Sequence, residues 1–151
     1  MEIRRLGDIL LEAGLIDGEQ LRRALAVQNG TNMRLGGVLL ELGFVSEQLL
    51  VKVLEFQLGI PRASLRECRI NSPLTRVLPR HLAEKHQVFP LEVKEGRILV
   101  AMADPLDYLA IEAVRRSTGL LVEVCLATRS EVEDAIERYY PLPQKSGAPG
   151  T

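Results

Sequence analysis

A repeat constrains this chain more than any other feature. Residues 5–28 read RLGDILLEAGLIDGEQLRRALAVQ and residues 34–57 read RLGGVLLELGFVSEQLLVKVLEFQ. They align without gaps at an offset of 29, with 10 identities in 24 positions. The identical pairs include Arg5/Arg34, Leu6/Leu35, Gly7/Gly36, Leu10/Leu39, Gly14/Gly43, Leu21/Leu50, Leu25/Leu54 and Gln28/Gln57. Self-similarity at a fixed period means one supersecondary unit used twice, and a unit too small to bury its apolar face alone must bury it against its copy.

Each copy reads as a helical hairpin. Leu6, Ile9, Leu10 and Ala13 keep helical spacing, and Gly14 stands where a glycine past the helix end adopts the left-handed conformation. Asp17 opens a second helix as N-cap, and Gln20 three residues later completes a capping box. Leu21, Ala24 and Leu25 form that helix's inner stripe. The second copy repeats the plan with Leu35, Val38, Leu39 and Leu42, a stop at Gly43, Ser46 as N-cap, and the stripe Leu50, Val53 and Leu54. Residues 29–33 link the hairpins, and the expected result is a pseudo-two-fold four-helix unit.

Two polar pairs do not follow from packing. Gln28 and Gln57 extend apolar stripes with an amide that can pair with a planar hydrogen-bonding ligand. Arg5 and Arg34 stand at helix starts, where the macrodipole disfavours a cation, so something anionic or π-rich is expected to offset the cost. Arginine donates bidentately to guanine O6 and N7 or stacks on a base. Backbone N–H groups beside Gly7 and Gly36 can approach phosphate oxygens closely, because glycine lacks a Cβ. A pseudo-symmetric pair of such units suits a ligand with its own two-fold symmetry, and a cyclic dinucleotide has two bases and two phosphates.

The composition removes the main alternatives. The 151 residues carry 19 basic and 20 acidic side chains, for a net charge of −1, which argues against a bulk electrostatic binder of DNA or membrane. No apolar run approaches the about 20 residues of a membrane span. The start MEIRRLGD lacks the apolar stretch of a secretory signal, and a cytoplasmic location is expected. Catalytic material is thin. Cys68 and Cys125 read as reduced, partly buried thiols, and His81 and His86 as structural or exposed. Neither a C-x-x-C pair, a P-loop nor a G-x-S-x-G elbow occurs, so neither a metal site nor catalysis is expected.

The spacing RLG-x2-L-L-x2-G-x6-L-x3-L-x2-Q, twice with a five-residue spacer, resembles the MshEN domain. That is the cyclic di-GMP-binding N-terminal domain of bacterial type II secretion and type IV pilus assembly ATPases. The resemblance implies that Arg5 and Gln28 address one guanine half of the ligand, and Arg34 and Gln57 the other. It implies apolar contacts from Leu6, Leu10, Leu21 and Leu25, and from Leu35, Leu39, Leu50 and Leu54. The motif's fourth position departs from symmetry, with Asp8 in the first copy and Gly37 in the second, so a carboxylate there would serve one half only.

Beyond the repeat, Gly59 and Pro61 break the helical pattern. The following run, LP…LA…PL…LVAM-DP to a terminal tyrosine helix, resembles the second part of the same secretion-ATPase region. Periodicity predicts a helix over 73–84, strands over 87–94 and 97–103 joined at KEG (94–96), and a helix from Asp104-Pro105 to about 117. In that last helix Asp104 is the N-cap and Pro105 the first residue. A strand over 120–127 and a helix over 129–140, capped from Thr128, complete the pattern. Asp104 can also reach the ligand or an arginine of the repeat. Arg115-Arg116 and Arg66/Arg69 read as solvated faces.

The expected fold is therefore α+β. A ligand-binding helical subdomain (1–58) precedes an α+β subdomain with a three-stranded sheet (59–140) and a disordered tail or linker (141–151). The expected function is a non-catalytic cyclic di-GMP receptor regulating a secretion or pilus ATPase or a partner, without cofactor, DNA or membrane insertion. The competing reading is a module that docks such an ATPase on an inner-membrane platform protein without binding nucleotide. The matched Arg5, Gln28, Arg34 and Gln57 speak against it.

Overall fold

The structure, a computed structural model, describes residues 6–31, 33–65 and 74–140. Arg5, Arg66, Cys68, Arg69 and the tail expected over 141–151 lie outside the described residues. The fold is α+β, with eight helices and one three-stranded sheet among the described residues.

The first hairpin is α1 (Leu6–Glu12) and α2 (Gly18–Gln28), the second α3 (Leu35–Glu41) and α4 (Glu47–Leu58). The two corners between helices share one hydrogen-bond pattern. Gly14 and Gly43 both take φ 75°, which glycine adopts without a Cβ clash. The Gly14 N–H donates to Leu11 O and the Leu15 N–H to Leu10 O. Gly43 and Phe44 donate in the same way to Leu40 and Leu39. These are Schellman closures, which satisfy the last carbonyls of each helix. Asp17 and Gln20 form the expected capping box on α2. Ser46 Oγ caps α4 by accepting from the Leu49 N–H.

The hairpins interlock, α1 against α3 and α4, and α2 against α3. Two glycines permit this. A Cβ on Gly7 would meet Leu21 Cδ1 at 2.9 Å and Leu35 Cδ2 at 3.5 Å. A Cβ on Gly36 would meet Leu6 Cδ2 at 3.3 Å and Leu50 Cδ2 at 3.8 Å. Each repeat thus seats its leucine on the other's glycine, a pseudo-two-fold exchange. The space expected to admit phosphate is, on the Cβ side, filled by leucine.

The expected inner stripe of α2 is corrected. Ala24 is sealed, but Leu25 is 42% exposed, whereas its counterpart Leu54 is fully buried. Helical spacing fixes which residues share a face, and a partner must still cover that face.

The sheet half begins with α5 (Leu74–Val77) and α6 (Arg80–His86), where a single helix over 73–84 is expected. Pro79 divides them. It donates no N–H and turns the preceding Leu78 away from helical geometry, which places Pro79 as the N-cap of α6. Strands β1 (Val88–Lys94) and β2 (Arg97–Met102) pair antiparallel, with a bulge between Pro90 and Glu92. Proline is tolerated there because β1 is an edge strand. Glu95 (φ 52°) and Gly96 (φ 77°) form the hairpin turn, as both central residues of a type I′ turn require. Helix α7 (Tyr108–Thr118) crosses over to β3 (Leu121–Leu126), which pairs parallel with β2. Helix α8 (Arg129–Tyr139) follows, capped by a Thr128/Glu131 box.

Helix α7 does not begin at Asp104-Pro105. It starts at Tyr108, and its N-cap is Asp107, whose Oδ1 accepts from the Ala110 N–H. Asp104 instead closes a turn: its Oδ1 accepts from Leu106 N–H and its carbonyl from Asp107 N–H. Asp-Pro-Leu-Asp offers a capping carboxylate at each end, and the second takes the helix.

The apolar interior forms two clusters. One surrounds Phe89, Val100 and Val114 in the sheet half, the other Ile9, Leu10, Leu39 and Leu54 among the repeats. Leu126, at the end of β3, belongs to the repeat cluster. Beside it residues 61–63 pair with β3: Leu126 N–H donates to Pro61 O, and Ala63 N–H to Leu126 O. Burial pushes the phenol of Tyr140 well above its ordinary range, and its Oη donates to Leu78 O at 2.6 Å.

Candidate functional site

A cleft of about 260 Å3 lies between the second repeat and the sheet half. Its apolar floor comes from Leu6, Leu50 and Leu54. Gly36 and Gly37 bring the α3 backbone to its wall, beside Met33 and Leu40. Ala103, Asp104 and Asp107, before and at the start of α7, face them, with the end of α6 and Arg129 completing the rim.

Arg34 stands at the N-cap of α3 without a side-chain capping bond. Its guanidinium crosses the cleft to Asp104, donating from Nε at 3.1 Å and from Nη2 at 2.9 Å to the same Oδ2. Asp107 Oδ2 lies 3.5 Å from the same Nε. The anion expected to offset a cation at this helix start is thus present within the chain. Both carboxylates are largely buried and the arginine is about half exposed, so the contact is a partly screened clamp. A second tie runs nearby. Glu47, in the first turn of α4, accepts from the Ser130 N–H and Oγ, both at 2.7 Å. A carboxylate on an N-terminal N–H of α8 is favourable for charge as well as for hydrogen bonding.

Of the residues carried over from the family motif, the cleft brings together Leu6, Arg34, Gly36, Leu50, Leu54 and Asp104. The others lie elsewhere. Leu10 and Leu39 are sealed in the repeat core, and Leu21 and Leu35 pack against it. Gly7 is buried, while Asp8 and Leu25 are exposed. Gln28 turns its amide back to donate to Met33 O at 3.2 Å. Gln57 borders a separate shallow groove with Leu49, Val53 and Phe56. Arg5 lies outside the described residues.

The structure adds cleft residues that the motif did not name: Asp107, Arg129, Lys85, His86 and Gln87. His86 is half-buried at the end of α6. Asp107 carried a legible signal, a second capping carboxylate three residues after Asp104. Arg129 carried none, since its contact with the repeat joins residues far apart in sequence. Among the described residues no group of three or more His, Cys, Asp or Glu side chains is placed to hold a metal ion. No described helix is long and apolar enough to cross a membrane.

The chain is similar to ATPases of pilus assembly and secretion. It is 33% identical to the type IV pilus assembly ATPase PilB of Myxococcus xanthus over 90% of its length, and 35% identical to PilB of Thermus thermophilus over 91%. It is 34% identical to the type II secretion system protein E of Xanthomonas campestris over 90%. It spans 24%, 16% and 25% of those proteins, respectively. Among solved structures it resembles the N-terminal domain of XpsE, with a TM-score of 0.75 and 30% identity over 93% of this chain and 100% of that one. It resembles equally the structure of MshE with cdg, with a TM-score of 0.72 and 33% identity over 91% and 99%. The MshEN domain model matches residues 58–146, the sheet half rather than the repeats. With the family model covering more than half its length, the chain belongs to the MshEN domain family.

Proposed function

We propose that this chain is a non-catalytic cyclic di-GMP receptor domain that regulates a secretion- or pilus-type ATPase in the cytoplasm. The observation that carries the reading is the cleft. It gathers an apolar leucine floor, a glycine-lined backbone and an arginine from the motif at one place, against Asp104 of the sheet half. Leucines supply flat apolar surface for a base, and the guanidinium supplies the donors that guanine O6 and N7 or a phosphate accept. The similar MshE structure holds cdg, which supports the ligand class. Because Arg34 already bridges to Asp104 and Asp107, a ligand that recruits Arg34 loosens a contact between the halves, and this offers a route from binding to regulation.

Calorimetric titration with cyclic di-GMP tests the reading, alongside Arg34→Ala and Arg5→Ala. The expected result is one ligand per chain, with binding lost or weakened by about tenfold or more in either variant. Absence of heat and of thermal shift at high ligand concentration rejects it.

One observation favours a docking module instead. Arg34 and Gln28, two of the four matched polar residues, direct their side chains to protein partners, Asp104 and the Met33 carbonyl. The solved N-terminal domain of XpsE shares the fold, and Phe56 on α4 is 84% exposed beside Leu49. If the titration is silent, this reading takes its place.

A further inference from the structure

The motif's fourth position differs between the repeats, and the structure supplies a physical reason. Asp8 is exposed in the first turn of α1. At Gly37, a Cβ would stand 3.4 Å from Arg129 Nη1 and 3.4 Å from Met33 Cε. The first residue of α8 therefore lays its guanidinium over the very position where the first repeat carries a carboxylate. Glycine leaves room for it.

Two guanidinium groups thus border one cleft, and their charges are matched unequally. Arg34 faces two largely buried carboxylates. Among the described residues Arg129 pairs with Glu133 Oε2 at 3.4 Å, on its own helix and partly exposed. An exposed pair at that distance does little to neutralise a charge. A second observation points to a ligand in the same place. Gln87 lines the cleft at the end of α6, and its Nε2 donates to Glu84 O at 2.9 Å. That leaves Gln87 Oε1 as the buried side-chain acceptor without a donor among the described residues. A buried acceptor left unpaired costs its desolvation, and a turn of the amide that brings it to a donor in the cleft recovers it. The wall therefore offers cationic donors for an anion beside an acceptor for an N–H. A nucleotide, with its phosphate and its base N–H groups, presents both.

We propose that the sheet half completes the second half of the nucleotide site, with Arg129, whose guanidinium occupies the room beside Gly37, donating to a phosphate oxygen of the bound cyclic dinucleotide in the cleft. The inference rests on the receptor reading above. It makes the two half-sites chemically unlike, one bearing Asp8 and the other Arg129.

The test is titration of the whole chain with cyclic di-GMP at low and high salt, comparing wild type, Arg34→Ala, Arg129→Gln, Arg129→Lys and Gly37→Asp. Arg129→Gln is expected to weaken binding by about tenfold or more and to flatten its salt dependence. Arg129→Lys should recover part of the loss. Gly37→Asp should weaken binding by pairing with Arg129, and the double variant Gly37→Asp/Arg129→Gln should bind no worse than Arg129→Gln alone. If Gly37→Asp fails to fold, the Arg129 variants decide alone, because that side chain is partly exposed. Wild-type affinity and salt dependence in Arg129→Gln, with binding lost in Arg34→Ala, overturn this inference and leave the receptor reading standing. No binding by wild type overturns both.

Discussion

The two repeats are near copies in sequence and in local structure, yet they end in different surroundings. Both close their first helix with a glycine at φ 75° and the same pair of hydrogen bonds. Both cap the second helix with a side-chain oxygen. Packing separates them. Repeat two faces the sheet half through Arg34 and Glu47 and buries Leu50 and Leu54, while α2 of repeat one leaves Leu25 and Val27 exposed. Local geometry is written in the repeat itself and is copied with it. The partner that covers a face is set by the tertiary fold, and the two repeats meet it differently.

The largest expected effect contrasts equivalent leucines. Leu54→Ala should cost about 2–5 kcal/mol in chemical denaturation, as a fully buried side chain removed from a packed core. Leu25→Ala should cost under about 1 kcal/mol, as an exposed one. Equal losses would break the comparison. The exchanged glycines sharpen it next. Gly7→Ala should be the less favourable of the two, because its Cβ would stand 2.9 Å from a Leu21 methyl and force that side chain to shift, against the helix propensity gained. Gly36→Ala should cost less, with its nearest neighbour at 3.3 Å, and thermal unfolding of the two variants reads the order.

Alkaline pH loads the sheet half from outside both repeats. The folded state holds the Tyr140 proton more tightly than the unfolded chain does. Its contribution is therefore constant below the ordinary phenol value of 10.0 and falls as pH rises above it. Tyr140→Phe should cost about 1 kcal/mol near neutrality through the lost bond to Leu78 and flatten the alkaline fall. A fall of unchanged steepness in that variant would assign it to other groups. The smallest effect on stability is expected from Arg34→Ala, about 1 kcal/mol or less for a half-exposed clamp. Its loss should raise amide exchange in the first turn of α7 more than in α2, and the reverse order would mean that repeat two is not the one tied to the sheet half.

The sequence was legible wherever a signal and its consequence lie within a few residues. Gly14, Gly43, Asp17 with Gln20, Ser46, the 94–96 turn and Thr128 all act where the pattern places them. It was ambiguous where two local signals competed, as with Asp104 and Asp107, or where a proline inside a periodic stretch forced a break, as at Pro79. The site was half legible for a related reason. The motif supplies Leu6, Arg34, Gly36, Leu50 and Leu54, but it cannot say that Arg129 lies over Gly37 or that Gln28 spends its amide on Met33. Those contacts belong to the tertiary fold or to the path of a loop.

Leu126 carries one more consequence, for the order in which the chain is made. The four repeat helices are complete by Leu58, well before β3 is made, but the leucine that joins their core is the last residue of β3. So is the backbone partner of the 61–63 segment. Contacts closed over so much intervening chain form late and slowly. Until β3 has emerged from the ribosome, the nascent repeats lack that apolar contact, and the last strand to be made is the one that closes them.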